Sequence, residues 1–324
     1  MENVMNIATA LNRKYLRYTT VMLVSLCENN PDCVRVFLLN HELTEQDVQM
    51  VRDILKKYGA QVEDLKVRRD MFPPELPYNE QWSIETYFRL LLQDILPDDV
   101  GRLIYLDADI IINRPLREMY ELDFAGMDLM AAKDTGWSLV REKYNEKQKE
   151  LINRVLETGH GYFNAGVLLM NIEKIRKKYS FQTYLDAIKR WDYQMYAFDQ
   201  DILNDVHATK AGYFDAEVYN LGARVAHNQN KTYADMKDTA IIHYTGFKPW
   251  DSGNCHYDIE KLWWEYAKKT PFYQELLEEF LDNTMTDTYL EDYIKGLLEQ
   301  LRVVNGQLNE SMNLNQRLLS LLQK

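Results

Sequence analysis

Short apolar runs alternate with segments whose apolar residues recur at helical spacing. Asn6-Ile7-Ala8-Thr9-Ala10-Leu11 reads as a first strand, followed by the polar loop Asn12-Arg13-Lys14-Tyr15 and a helical segment from Tyr18 to Cys27. Asn29-Asn30-Pro31 ends that helix, since proline cannot continue one. Val34-Arg35-Val36-Phe37-Leu38-Leu39 is a second strand. Thr44-Glu45-Gln46-Asp47 opens a capped helix with Val48, Val51, Ile54 and Leu55 on its apolar stripe. Val62-Glu63-Asp64-Leu65-Lys66-Val67 is a third, weaker strand. Two strand–helix units followed by a strand predict an α/β fold with a parallel sheet and helices on its faces.

Pro73, Pro74 and Pro77 hold a loop, after which Ser83 is placed to cap a helix through Tyr87, Leu90, Leu91 and Ile95 that carries Arg89. The run Arg102-Leu103-Ile104-Tyr105-Leu106-Asp107-Ala108-Asp109-Ile110-Ile111-Ile112 reads as one buried strand. Further strands are expected at Asp128–Asp134, Val167–Met170 and Thr239–His243, and helices at Asn171–Trp191, Phe198–Leu203 and Tyr257–Phe280. The polar stretch Thr135–Gly161 fits either a helical insertion or a mobile lid. Beyond Asp287, Leu290, Leu297, Val304, Ser311 and Leu318 alternate with Ile294, Leu301, Leu308, Asn315 and Leu322, a heptad pattern with an Asn at one core position. This fits a self-associating coiled coil or a lone amphipathic helix folded on the main domain. The pattern divides the chain into a main domain over 1–254, a helical region over 255–285 and a heptad helix over 286–324.

The chemistry concentrates at two carboxylates set into an apolar run. Burying them is costly unless something pairs with them. Residues two apart in a strand share a face, so Asp107 and Asp109 are expected to converge on one point. A hard divalent cation, manganese or magnesium, would satisfy both and share a substrate phosphate. The plainer alternative is a strand end whose Asp side chains cap loops. In open α/β sheets ligands sit beyond the carboxyl ends of the strands. Asn12 to Tyr15, the two carboxylates, Asp134, Asn164 and His243 to Lys248 all fall at such ends.

Composition narrows the field. The net charge of −12 argues against a nucleic-acid-backbone binder but leaves room for a nucleotide in one basic pocket. The 22 Tyr suit stacking on bases and sugars, and equally half-buried positions. Cys27, Cys33 and Cys255 lack metal-site spacing, which points to a reduced, cytoplasmic protein. No signal peptide and no membrane span is expected from the pattern.

Six stretches together resemble the retaining glycosyltransferases of family 8, the group of bacterial lipopolysaccharide galactosyl- and glucosyltransferases, with glycogenin as a distant relative. They are Ala10-Leu11-Asn12-Arg13-Lys14-Tyr15, Thr86-Tyr87-Phe88-Arg89, Tyr105-Leu106-Asp107-Ala108-Asp109, Tyr162-Phe163-Asn164-Ala165-Gly166-Val167-Leu168, Asp199-Gln200-Asp201-Ile202-Leu203-Asn204 and His243-Tyr244-Thr245-Gly246-Phe247-Lys248-Pro249-Trp250. No one stretch is specific; the ordered set over roughly the first 250 residues is. The heptad tail is not covered.

The resemblance implies a GT-A fold: a Rossmann-like, mixed, mainly parallel sheet flanked by helices, here with a C-terminal helical tail. It implies that Asp107, Asp109 and His243 ligate a metal, usually Mn2+, that bridges the phosphates of a UDP-sugar. It places Tyr15 on uracil, Gly246 and Lys248 on the diphosphate, and Arg89, Asp134, Asn164, Ala165, Asp199 and Gln200 around the donor sugar, with Ala10, Asn12 and Ala108 completing the donor site. Many relatives have acidic residues where this chain has Asn12-Arg13-Lys14, which leaves the base and ribose contacts less defined. The implied activity is retaining transfer of galactose or glucose from a UDP-sugar to a glycan or other acceptor, with Gln200, Asp199 and Lys248 as catalytic residues. A nucleotide-sugar-binding or assembly module that has lost turnover and works through its coiled-coil tail is the competing expectation. A nucleotidyltransferase would want a Gly-rich loop after the first strand, and Ala10 to Tyr15 has no glycine.

Overall fold

The computed structural model describes residues 4–78, 83–134, 143–246, 248–251, 257–284, 291, 294, 295, 298 and 301. Two compact units result: Met1–Thr245 with Tyr257–Thr270, and Gly246–His256 with Pro271–Lys324.

The first unit carries ten strands among the described residues: β1 (Met5–Ala10), β2 (Val34–Asn40), β3 (Gln61–Lys66), β4 (Leu103–Leu106), β5 (Ile110–Ile112), β6 (Leu129–Lys133), β7 (Phe163–Met170), β8 (Ala211–Tyr213), β9 (Leu221–Gly222) and β10 (Ile241–His243). Seven form a mixed sheet in the order β3-β2-β1-β4-β7-β6-β8. The pairs β3-β2, β2-β1, β1-β4 and β6-β8 are parallel, while β7 runs antiparallel to both β4 and β6. A small second sheet has the order β5-β10-β9. This is the mainly parallel, helix-flanked sheet expected of the GT-A class.

Strand and helix signals behave as their side chains dictate. The helix Leu16–Asn29 is buried almost all round, with Val21, Met22, Leu23, Val24 and Leu26 fully inaccessible, so it is a core element rather than a surface stripe. The helix Glu45–Leu55 begins at Thr44 in a capping box: Thr44 Oγ1 accepts from Asp47 N at 3.2 Å and Asp47 Oδ2 accepts from Thr44 N at 2.8 Å. Phe37, Phe88, Leu91, Tyr105, Leu168 and Leu203 sit in one apolar core that joins the central strands to their helices.

Four expectations are corrected. The run from Arg102 to Ile112 is two strands in two sheets, not one. β4 pairs with β1 and β7, and β5 pairs with β10, because different neighbours claim the backbone on each side of the turn: Asp107 N donates to Gly166 O at 2.9 Å and Tyr244 N donates to Asp109 O at 2.9 Å. The segment after Ser83 is a 3-10 helix, Ile84–Leu91, leading into one α-turn, Leu92–Ile95. Ser83 makes no side-chain cap, and its hydroxyl accepts from Asn12 Nδ2 at 3.4 Å. Asn171–Trp191 is two helices, Ile172–Lys178 and Phe181–Arg190, the second opened by Ser180, whose N–H reaches Thr183 Oγ1 at 3.2 Å. Tyr257–Phe280 likewise splits into Lys261–Ala267 and Tyr273–Thr284, with Pro271 unable to extend the first helix.

Of the polar stretch 135–161, residues 135–142 lie outside the described residues. The remainder holds the helix Glu146–Glu157, whose Leu151, Ile152 and Val155 are buried in the core. In the second unit, residues 291, 294, 295, 298 and 301 are helical, and Ile294, Leu298 and Leu301 are exposed. The other heptad positions lie outside the described residues. Among the described residues, no helix is long and apolar enough to cross a membrane.

Candidate active site

Three ligand atoms, one each from Asp107, Asp109 and His243, lie within 4.8 Å of one another. The two carboxylates leave the carboxyl end of β4, and His243 ends β10. They converge because the chain turns between sheets there, not through strand alternation. His243 Nε2 stands 3.3 Å from Asp109 Oδ1. The backbone of Gly166 passes so close that a Cβ there would come within 2.7 Å of Asp107 Oδ2.

Arg89 ties this cluster to the next carboxylate. Its NH2 donates to Asp107 Oδ1 at 2.8 Å, its NH1 donates to Ala165 O, and its Nε lies 2.9 Å from Asp199 Oδ2. The guanidinium rests 4.2 Å from the centre of the Tyr105 ring. A buried cation is tolerated when carboxylates and carbonyls surround it, as here. Asp199 also accepts from Thr86 Oγ1 at 3.0 Å. Burial pushes its carboxyl up to about 6, against the pull of Arg89.

A line of side-chain amides borders the cluster. Gln200 Oε1 accepts from Ala165 N at 2.9 Å and from Asn164 Nδ2 at 3.4 Å. Gln200 Nε2 donates to Asp134 Oδ2 at 3.1 Å and to Tyr162 OH at 3.3 Å. Tyr162 in turn donates to Asp201 Oδ1 at 2.6 Å. Burial, reinforced by Asp201, holds the Tyr162 phenol well above its ordinary range, so it stays protonated. The Gln200 amide is therefore anchored through both its oxygen and its nitrogen.

The remaining expected residues occupy the first loop, the turn and the second unit. Ala10 ends β1, and Ala108 is buried in the turn between the carboxylates. Asn12 Oδ1 accepts from Tyr15 N at 3.0 Å, which shapes the loop after β1, and the Tyr15 ring stands edge-on to Tyr18 at 5.6 Å. Gly246 and Lys248 belong to the second unit. Gly246 has φ +83°, a conformation that favours glycine, and Lys248 O accepts from Asp251 N at 3.0 Å.

Sequence reasoning omitted Asn220 from the site. It directly precedes β9, a two-residue strand too short to show a period. Its Oδ1 is 2.9 Å from His243 Nδ1, and its Nδ2 donates to Asn164 Oδ1 at 2.9 Å. Gly166 and Thr86 stood in the quoted stretches without a role.

The family model for glycosyl transferase family 8 matches residues 6–253. The lipopolysaccharide 1,3-galactosyltransferase of Salmonella typhimurium is 27% identical over 281 residues, 82% of this chain and 79% of that protein. The lipopolysaccharide 1,2-glucosyltransferase of Escherichia coli is 25% identical over 259 residues, 76% of this chain and 73% of its own length. The crystal structure of the galactosyltransferase LgtC in complex with donor and acceptor sugar analogues superposes with a TM-score of 0.69 at 26% identity, covering 84% of this chain and 100% of LgtC. The match spans both sheets and every residue of the carboxylate–imidazole cluster, and the chain belongs to glycosyltransferase family 8.

Proposed function

We propose that this glycosyltransferase is a metal-dependent, retaining hexosyltransferase that moves galactose or glucose from a UDP-sugar to a glycan acceptor of the lipopolysaccharide type. The observation that carries the reading is the convergence of Asp107, Asp109 and His243 within 4.8 Å, beside a glycine that keeps the space open. Two carboxylates and an imidazole form a donor set suited to Mn2+, with Mg2+ the harder alternative. When bound, the ion would offset negative charge on the diphosphate leaving group.

The chain's own groups supply the rest. The family resemblance alone assigns Lys248 and Gly246 to the diphosphate. Tyr15 and Asn12 offer a ring face and an amide to the base, with Ala10 and Ala108 lining the donor. Arg89, Asp134, Asn164, Ala165 and Asp199 wall the sugar.

Attack from behind the sugar needs a free nucleophile. Asp199 is buried, with one oxygen bonded to Thr86 and the other held only by charge against Arg89, whose Nε–H bonds Thr86 O, and Gln200 is an amide held at both ends. The geometry favours front-face transfer. The acceptor oxygen bonds to the anomeric carbon on the face where the bond to UDP breaks, and its proton passes to the departing phosphate oxygen. The fixed Gln200 dipole stabilises positive charge developing on the sugar. A thermal-shift screen of UDP-sugars with Mn2+ tests the reading: UDP-galactose or UDP-glucose raises the melting temperature only when the metal is present. No response to any UDP-sugar contradicts it.

A further inference from the structure

We propose that Asn220 is the positioning residue that fixes the tautomer of His243 and so turns its Nε2 lone pair toward Asp107 and Asp109. The inference rests on the metal reading of that cluster. It follows from one backbone donor. The Gly166 N–H can only donate, and it reaches Asn164 at 3.0 Å, so the atom it meets is the oxygen Oδ1. The Asn220 atom 2.9 Å from that same oxygen must therefore be a donor, Nδ2. The other end of the Asn220 amide is then Oδ1, which only accepts. It lies 2.9 Å from His243 Nδ1, so Nδ1 carries the hydrogen.

A neutral imidazole with hydrogen on Nδ1 has its lone pair on Nε2, the nitrogen that faces the carboxylates. Free imidazole side chains lean toward the opposite tautomer, so the partner at Nδ1 decides which nitrogen can ligate. Metal-binding histidines are commonly oriented by such a partner at the far nitrogen. Here it is an amide, which adds no negative charge to a site that already has two carboxylates. His243 is 3% exposed and Asn220 8%, so water does not compete freely for Nδ1.

The same amide reaches the sugar side. Asn220 Nδ2 donates to Asn164 Oδ1, and Asn164 Nδ2 donates to Gln200 Oε1. The orientation of the metal-side imidazole and that of the Gln200 dipole thus share one chain of hydrogen bonds, with every donor and acceptor assigned from Gly166 N.

Two variants separate the two ends. Asn220→Ala removes the acceptor at Nδ1. Asn220→Asp keeps an acceptor there and removes the donor to Asn164. The first readout is the long-range 15N–1H spectrum of the six histidines in metal-free protein at mildly alkaline pH, with His243 assigned through His243→Gln. The second is Mn2+ binding in the presence of UDP, followed by the electron paramagnetic resonance of free Mn2+.

Wild type is expected to show hydrogen on Nδ1. Asn220→Ala should move it to Nε2 and weaken Mn2+ binding about 10- to 100-fold. Asn220→Asp should keep the wild-type tautomer and bind Mn2+ nearly as well, yet lower kcat through Asn164 and Gln200. A wild-type His243 with hydrogen on Nε2, or a tautomer unmoved in Asn220→Ala, overturns the proposal. Wild-type protein that holds no Mn2+ removes the metal reading instead, and the metal-free tautomer still decides whether Asn220 orients His243.

Discussion

Gly166 leaves no room for a side chain beside His243: a Cβ built on it would lie 2.3 Å from His243 Cε1. Such a contact cannot exist, so one of the two must move. Gly166 has no positive φ that would exclude Ala on backbone grounds, so the penalty falls on the imidazole and on Asp107. Gly166→Ala should weaken Mn2+ binding by roughly an order of magnitude or more, the scale of disturbed outer contacts to a metal site. Destabilisation of the metal-free protein should stay within about 1–3 kcal/mol, as for other overpacked sites. Calorimetry with Mn2+ and UDP, paired with chemical denaturation, measures both. Unchanged metal affinity would mean that the cluster tolerates the displacement and is not a binding site.

Gln200 and Asp199 should separate the two routes to retention. Gln200→Ala removes a fixed dipole from the sugar side and should slow transfer moderately while leaving the KM for the donor nearly unchanged. The product anomer should remain retained, and no glycosyl-enzyme should accumulate. Intact-protein mass spectrometry during turnover decides the matter. A stable sugar adduct on Asp199 would replace front-face transfer with double displacement.

The Asp199 carboxyl, raised from 3.8 to about 6, makes stability depend on pH in a definite direction. Between about pH 4 and 6 the unfolded chain has lost this proton and the native protein still holds it. The unfolded state then binds fewer protons, so stability falls as pH rises through that window and levels off above it. The contribution lost is on the order of 1–3 kcal/mol. Asp199→Asn should lack this fall. Urea denaturation of both proteins across the window measures the difference, and parallel curves would show that Asp199 ionises normally.

The C-terminal tail should govern association. Ile294, Leu298 and Leu301 lie four and three residues apart in helical conformation and are exposed, as a face awaiting a partner helix would be. Deleting residues from Asp287 onward should convert an oligomer to a monomer and leave UDP-sugar hydrolysis in place. Multi-angle light scattering that finds the full-length chain monomeric removes this expectation.

The sequence carried most of the sheet, because its buried strands are apolar runs with turn residues at their ends. β1, β2, β3, β6 and β10 fall within a few residues of the pattern. It also located the Asp107–Asp109 pair, though for a reason the fold revises: convergence comes from a sheet-to-sheet turn fixed by Gly166 O and Tyr244 N. Such pairing is non-local and leaves no period in the sequence. The same limit hid β8 and β9, of three and two residues, and with them Asn220. Nor could composition show that Arg89 would bridge Asp107 and Asp199, residues 18 and 110 positions away along the chain.

The most direct test of metal-dependent sugar transfer is release of UDP from UDP-galactose and UDP-glucose by wild-type protein and by Asp109→Asn, each with Mn2+ and with a chelator. Asp109 is one of three side chains that converge within 4.8 Å, and converting it to an amide removes a charge without changing its shape. The account predicts release by wild type with Mn2+, near-complete loss with chelator, and near-complete loss in Asp109→Asn, whose circular dichroism spectrum stays that of wild type. Release at the wild-type rate by Asp109→Asn, or release unaffected by the chelator, would contradict it.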